Sequence, residues 1–286
     1  PRANVTQPLN QFLCNGQAST AMTFTGPLNG TTYNWTNSDT SIGLAQNGNG
    51  NIPSFIAVNN SNAAISATIS VTATANNCPG NTKTFIITVD PTPDMAQPAN
   101  QTICNGVLTD AVNFTGTVSG TTYGWINSNP GIGLPANGSG NIPAFIASNT
   151  NHYPVTATIS VLGTANSCNS VTKVFTITVN PSPDIDPLFD QAVCDGAITD
   201  TIELTGPVIG TAFSWTNNKP SIGLPASGTG DIPSFTAINT SAVPVVATIN
   251  VHGSTASTCL PAIKTFKITV HPTAAVRANT DAVICK

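Results

Sequence analysis

The chain has 286 residues, 40% hydrophobic and 7% charged, with 8 Lys and Arg against 12 Asp and Glu for a net charge of -4. Eight unclustered cations exclude phosphate neutralisation on a nucleic acid, and no apolar run approaches the ~20 residues of a membrane-spanning helix, so membrane insertion is excluded as well. What remains is rich in Thr, Ser, Asn, Gly and Pro with enough β-branched and aromatic residues to build cores, the profile of a folded all-β chain.

Each repeating unit opens with a Pro-rich extended stretch, at 1–10, 91–100 and 181–190. Prolines at 91 and 93 and at 181 and 183 fix φ and remove donors, which suits a short, stiff connector running into an edge strand. A Cys-Asn-Gly or Cys-Asp-Gly turn follows at Cys14, Cys104 and Cys194, then an alternating strand such as Thr20–Thr25. Next comes the stretch that identifies the repeat. Gly30-Thr-Thr-Tyr-Asn-Trp-Thr-Asn-Ser38 returns at 120–128 and, more loosely, at 210–218. Trp35, Trp125 and Trp215, the chain's three tryptophans, therefore stand 90 residues apart, the length of a whole small domain. Strand periodicity places residues 33 and 35 on one face, and Trp35, Trp125 and Trp215 are the predicted core anchors.

The Gly/Asn-rich block 41–55 and its copies at 131–145 and 221–235 read as a hairpin or loop between short strands. No Lys-Ser/Thr follows these glycines and no helical pattern begins after them, so they do not form a phosphate-binding loop. The last third of the unit alternates most cleanly. Residues 65, 67, 69, 71 and 73 are apolar with Ser or Thr between them, and Phe85, Ile87 and Val89 repeat the pattern, as do 175, 177, 179 and 266, 268, 270. One buried and one wet face predict an antiparallel sandwich of about seven short strands per unit. Units are expected at 1–91, 92–181 and 182–272, with 273–286 opening a fourth, in a segment of a longer protein. At ~3.3 Å per strand residue each unit should be roughly 30–40 Å long and three should span on the order of 100 Å.

The Cys-x-Gly opening, the Tyr-x-Trp strand, Asn-Asn-Cys-Pro-Gly or Asn-Ser-Cys between the last two strands and the Val-Asp/Asn-Pro-x-Pro exit resemble the immunoglobulin-like, PKD-like repeats of giant adhesins exported by the type IX system of gliding bacteria. The chain has Trp35-Thr-Asn-Ser-Asp where the better-known PKD pattern has Trp-x-Phe-Gly-Asp-Gly, so only architecture and role carry over. The resemblance implies three tandem immunoglobulin-like β-sandwich domains in a secreted, surface-anchored protein. There such repeats form a stalk or filament serving adhesion or gliding, with neighbouring repeats of the same chain as partners. A surface glycan or substratum would be bound through a domain outside this segment.

Seven cysteines fall at two places per unit: Cys14 and Cys78, Cys104 and Cys168, Cys194 and Cys259, with Cys285 opening the fourth copy and left unpaired. Paired cysteines in a low-charge β array indicate an oxidising, extracellular location. Pairing within each unit is the first expectation. The alternative joins Cys14 to Cys168 and Cys104 to Cys259, because the Cys-x-Gly turn and the loop before the last strand can lie at opposite ends of a sandwich while a disulfide needs Cα atoms within ~7 Å.

No Cys-x-x-Cys spacing marks a metal site, and His152, His252 and His271 occupy non-equivalent positions that read as surface. Asp184, Asp186, Asp190, Asp195 and Asp200 concentrate near the second junction, where calcium rigidifying the linker is the alternative; the first offers only Asp90 and Asp94, so a site general to the array is not expected and solvated acids are the first expectation. The sequon Asn34-Trp-Thr36 borders the core tryptophan and is assigned no glycan. No nucleophile, base and orienting acid recur, so neither an enzyme nor a cofactor is expected. Two other readings stand beside the stalk. A glycan-binding accessory module of a polysaccharide-degrading enzyme would need exposed aromatics on a flat face. A self-associating sheath would use the Gly/Asn loops.

Overall fold

The computed structural model describes residues 2–257 and 259–273. It contains three sheets built on one plan. The first comprises β1 (Gln11–Cys14), β2 (Thr32–Asn37), β3 (Asn47–Asn49), β4 (Ile65–Ala75) and β5 (Cys78–Asp90), hydrogen-bonded in the order β1-β5-β4-β2-β3. The second repeats it with β6 (Gln101–Cys104), β7 (Thr122–Asn127), β8 (Asn137–Ser139), β9 (Val155–Ala165) and β11 (Lys173–Asn180), plus a two-residue β10 (Cys168–Asn169) on β9. The third comprises β12 (Gln191–Cys194), β13 (Ala212–Asn217), β14 (Ser227–Thr229), β15 (Val245–Ser254) and β16 (Ala262–His271). Neighbours are antiparallel, except that β1, β6 and β12 run parallel to the last strand of their unit.

The opposing layer has little regular ladder. In unit 1 it is the bridge pairs Ala18↔Ile56 and Met22↔Ile52 together with a Thr6 N–H bond to the Thr25 carbonyl. The alternation predicted for 20–25 is present, with Met22 and Phe24 buried, but a continuous strand is not. Pro53 has no N–H to give, the Phe24 N–H donates to Asn51 Oδ1, and Ser54 Oγ donates to the Ser19 carbonyl. Side chains thus replace the ladder bonds. Among the described residues the only helical elements are three-residue 3-10 turns at Thr40–Ile42, Pro130–Ile132 and Pro220–Ile222.

The architecture is an all-β array of immunoglobulin-like sandwiches. Ala67, Ile69, Val71 and Ala73 of β4 and Phe85, Ile87 and Val89 of β5 face Met22 and Phe24 across the first core, and equivalent residues fill separate second and third cores. Trp35, Trp125 and Trp215 are each buried in their own core. Trp35 sits between Gly48 on β3 and Val71 on β4, and its ring lies so close over Gly48 that a Cβ there would fall inside the indole; Gly138 and Gly228 stand identically to Trp125 and Trp215. A glycine that reads as a turn residue in the sequence is therefore required by ring packing on an extended strand. The buried indole N–H groups of all three tryptophans have no hydrogen-bond partner in the structure.

Candidate functional site: the joints between units

Each unit ends in a polar cluster built from the Cys-x-Gly turn. Asn15 Oδ1 accepts the Asn59 N–H at 2.9 Å, and Asn59 Nδ2 donates to the carbonyls of Val89 and Ala63 at 2.7 and 2.8 Å. Asn105 and Asn149 repeat this in unit 2, and Asp195 and Asn239 in unit 3. Asn59, Asn149 and Asn239 are buried, and the amide of each is satisfied by two backbone carbonyls, as a buried polar side chain requires. Sequence reasoning missed them. Their recurrence at the 90-residue spacing was the available signal, hidden by the many other asparagines.

The connectors leave from this cluster. Pro91, Pro93, Pro181 and Pro183 are buried, and the hydroxyls of Thr92 and Ser182 donate to the carbonyls of Asn15 and Asn105. In unit 3 the Thr273 hydroxyl reaches Asp195 Oδ2 at 2.9 Å. The Asp195 carboxyl is held below the usual carboxylate range, first by the Asn239 N–H and then by Thr273.

Disulfides cross these joints. Cys14 of unit 1 is bonded to Cys168 of unit 2, and Cys104 of unit 2 to Cys259 of unit 3, with Cα–Cα separations of 5.6 and 5.5 Å. The expectation of pairing within each unit is corrected. Cys14 pairs in register with Asp90 at the end of β5, while Cys78 begins the same strand. Twelve strand steps put them about 40 Å apart, far beyond a disulfide's reach. Cys78 and Cys194, also expected to be bonded, are exposed free thiols. Cys285 lies outside the described residues.

Polar contacts flank the first disulfide. Asn166 Nδ2 donates to Asp90 Oδ1 at 2.9 Å, and the Thr117 hydroxyl lies 3.2 Å from Asn62 Oδ1 and 3.0 Å from Asp94 Oδ1. The Thr117 N–H is the main cause holding Asp94 below its ordinary range. A crevice of about 690 Å³ beside the bond is lined by residues of both units, among them Phe12, Gln17, Asp90 and Ser167.

The acids near the second junction are not gathered around a common point. Asp184 pairs with Lys264 at 3.5 Å, and Lys264 also donates to the Ile185 carbonyl. Asp186 accepts from Thr205 and Asp190 from the Lys267 N–H. Among the described residues no group of three His, Cys, Asp or Glu is placed to hold a metal, and no helix is long and apolar enough to cross a membrane.

No protein-family model matches the chain, and no curated protein matches it. Solved structures superpose weakly. Human CDH23 EC21-23 gives a TM-score of 0.44 at 11% identity over 94% of this chain and 100% of that one. Mouse cadherin-23 EC22-24 gives 0.40 at 13% over 94% and 97%, and the I9-I11 tandem from titin 0.33 at 10% over 95% and 100%. The fold is defined by the strand order and the three cores described above.

Proposed function

We infer that the chain is a load-bearing, non-enzymatic stalk segment of an extracellular adhesin or filament, with residues 1–91, 92–181 and 182–272 as its mechanical units. The observation that carries this reading is the placement of both disulfides across joints, with none inside a unit among the described residues. A bond inside a sandwich protects only that sandwich; a bond across a joint holds successive units in sequence under tension. Oxidised cysteines support an extracytoplasmic location. The order of the repeated motifs supports the finer reading, a type IX-exported surface adhesin of gliding bacteria. Burial of Trp35, Trp125 and Trp215 speaks against a glycan-binding module. Its exposed aromatics Phe12, Tyr153 and Phe189 lie at non-equivalent positions and form no repeated platform.

Immunogold electron microscopy of the source cells, with an antibody against this segment, tests the proposal. Label strung along thin threads running out from the surface is expected. Label confined to compact soluble particles overturns it.

A second reading, lateral self-association, is favoured by one face. Gly124, Ile126 and Leu162 line a shallow apolar cavity of about 390 Å³ on the outer side of unit 2, where unit 1 has Asn34, Thr36 and Thr72 and unit 3 has Ser214, Thr216 and His252. Sedimentation of the protein and of Ile126→Thr tests it, lateral contact requiring that the substitution lower the sedimenting mass.

A further inference from the structure

Among the described residues two cysteines, Cys78 and Cys194, are left over from the joints, and both occupy positions that are bonded in other units. Cys194 ends β12 in register with His271, as Cys14 ends β1 opposite Asp90 and Cys104 ends β6 opposite Asn180. Its turn is the same: Gly196 has φ 80, against 81 at Gly16 and 79 at Gly106. The Gly196 N–H donates to the Ala237 carbonyl, as Gly16 does to Ala57 and Gly106 to Ala147. Cys78 begins β5 opposite Ala75, as Cys168 begins β10 opposite Ala165. Both follow a two-residue left-handed turn, with φ 49 and 59 at Asn76 and Asn77 and 49 and 65 at Asn166 and Ser167. Cys78 therefore reproduces the half-joint that Cys168 presents to Cys14, and Cys194 the half-joint that Cys14 presents to Cys168.

We propose that Cys194 and Cys78 are the two complementary halves of a further joint, each bonding a repeat of this same kind, which for the isolated segment a second copy supplies, head to tail, through Cys194 of one and Cys78 of the next. The inference deepens the stalk reading and rests on it for its biological sense. Its chemistry rests on the two joints already bonded in this chain. The flanking groups are also in place. Where Asn166 donates to Asp90 at the first joint, the end joint offers the Asn76 amide as donor and the His271 ring nitrogen as acceptor. Because the two surfaces differ, the contact is heterologous, and its repetition gives an open linear array.

Bond formation is thiol–disulfide exchange with a small disulfide such as oxidised glutathione. The Cys194 thiolate attacks one sulfur and releases one glutathione thiolate. The Cys78 thiolate of the next copy then attacks the Cys194 sulfur of the mixed disulfide and releases the second. Two protein thiols are oxidised and one glutathione disulfide is reduced to two thiols.

The test uses the full chain with Cys285→Ser throughout, at high protein concentration in a glutathione redox buffer, read by non-reducing electrophoresis and mass spectrometry of linked peptides. The expected result is a ladder of multimers with Cys78–Cys194 peptides in about tenfold excess over like pairs, the preference that ~1.4 kcal/mol of specific contact supplies. Cys78→Ser and Cys194→Ser alone should stay monomeric, and mixing them should give a product that stops at the dimer. No more dimer on mixing than in either variant alone, or like pairs as abundant as Cys78–Cys194, overturns the proposal. Either failure leaves the cell-surface threads of the stalk reading standing, and soluble label on cells would leave this pairing standing.

Discussion

Pulling the chain from its two ends reads the disulfide pattern as a length. Without cross-links, the 245 residue steps from position 14 to position 259 extend to about 860 Å at ~3.5 Å per residue. The two observed bonds merge Cys14 with Cys168 and Cys104 with Cys259 into two nodes joined by three parallel chains, of 90 steps (14 to 104), 64 steps (104 to 168) and 91 steps (168 to 259). The shortest governs, so full unfolding stops at about 220 Å between the nodes. Replacing Cys14 by Ser leaves the 90-step chain and replacing Cys104 leaves the 91-step chain, each about 320 Å. Reduction releases the whole 860 Å. Single-molecule force spectroscopy of oxidised, reduced and variant protein, read as total contour length released, should give this series. The discriminating control is Cys78→Ser. The cross-unit pattern predicts no change, whereas pairing within units, with 52 residue steps in the load path, predicts 116 steps after the substitution and a gain of about 220 Å. Lengthening of the Cys78→Ser chain would refute the pairing and the role built on it.

Other consequences follow from single positions. Gly138→Ala places a methyl inside the Trp125 ring and should destabilise unit 2 by about 1–3 kcal/mol in denaturant melts, through overpacking. Asn149→Ala leaves the Val179 and Tyr153 carbonyls without their side-chain donor and should cost about 1–3 kcal/mol for each buried group left unsatisfied, with amide exchange rising first around 149–151. Asp195 has its folded-state pKa lowered by the Asn239 N–H and Thr273. Its contribution is therefore present above the unfolded value of ~3.9 and lost as pH falls through the lower folded value. Thermal melts of unit 3 should drop more steeply in that acid window for the native protein than for Asp195→Asn, which copies units 1 and 2.

Much of the fold was legible because strand alternation reports burial directly. The runs at 65–73 and 85–89 identify the buried face residue by residue, and the 90-residue tryptophan spacing marks the units. The thin opposing layer was less legible, since Pro53, Asn51 and Ser54 look like ordinary loop residues until their side chains are seen standing in for ladder bonds. Pairing of the cysteines was least legible. Two cysteines per 90-residue unit are equally compatible with bonds inside and between units, and only the parallel register of β1 on β5, which sends Cys14 to the far end from Cys78, separates them.

That same register determines how load crosses unit 2. Tension passed through the first disulfide enters at Cys168, upstream of β11, and tension leaving through the second exits at Cys104, the last residue of β6. β6 and β11 are parallel neighbours, paired from Gln101↔Ile177 to Cys104↔Asn180. One is held at its downstream end and the other at its upstream end, so the pull runs along both strands and loads their hydrogen bonds together in shear, not one at a time as in unzipping. Connector tension adds to the same direction, because the chain enters unit 2 beside Cys168 and leaves it beside Cys104. A disulfide between Cys104 and Cys168 would instead pass load from β6 straight to the segment leading into β11 and take β7, β8 and β9 out of the load path. Under a pull, bonds across the joints would therefore act in two ways at once, capping extension at the shortest of three chains and directing force along a strand pair loaded in shear.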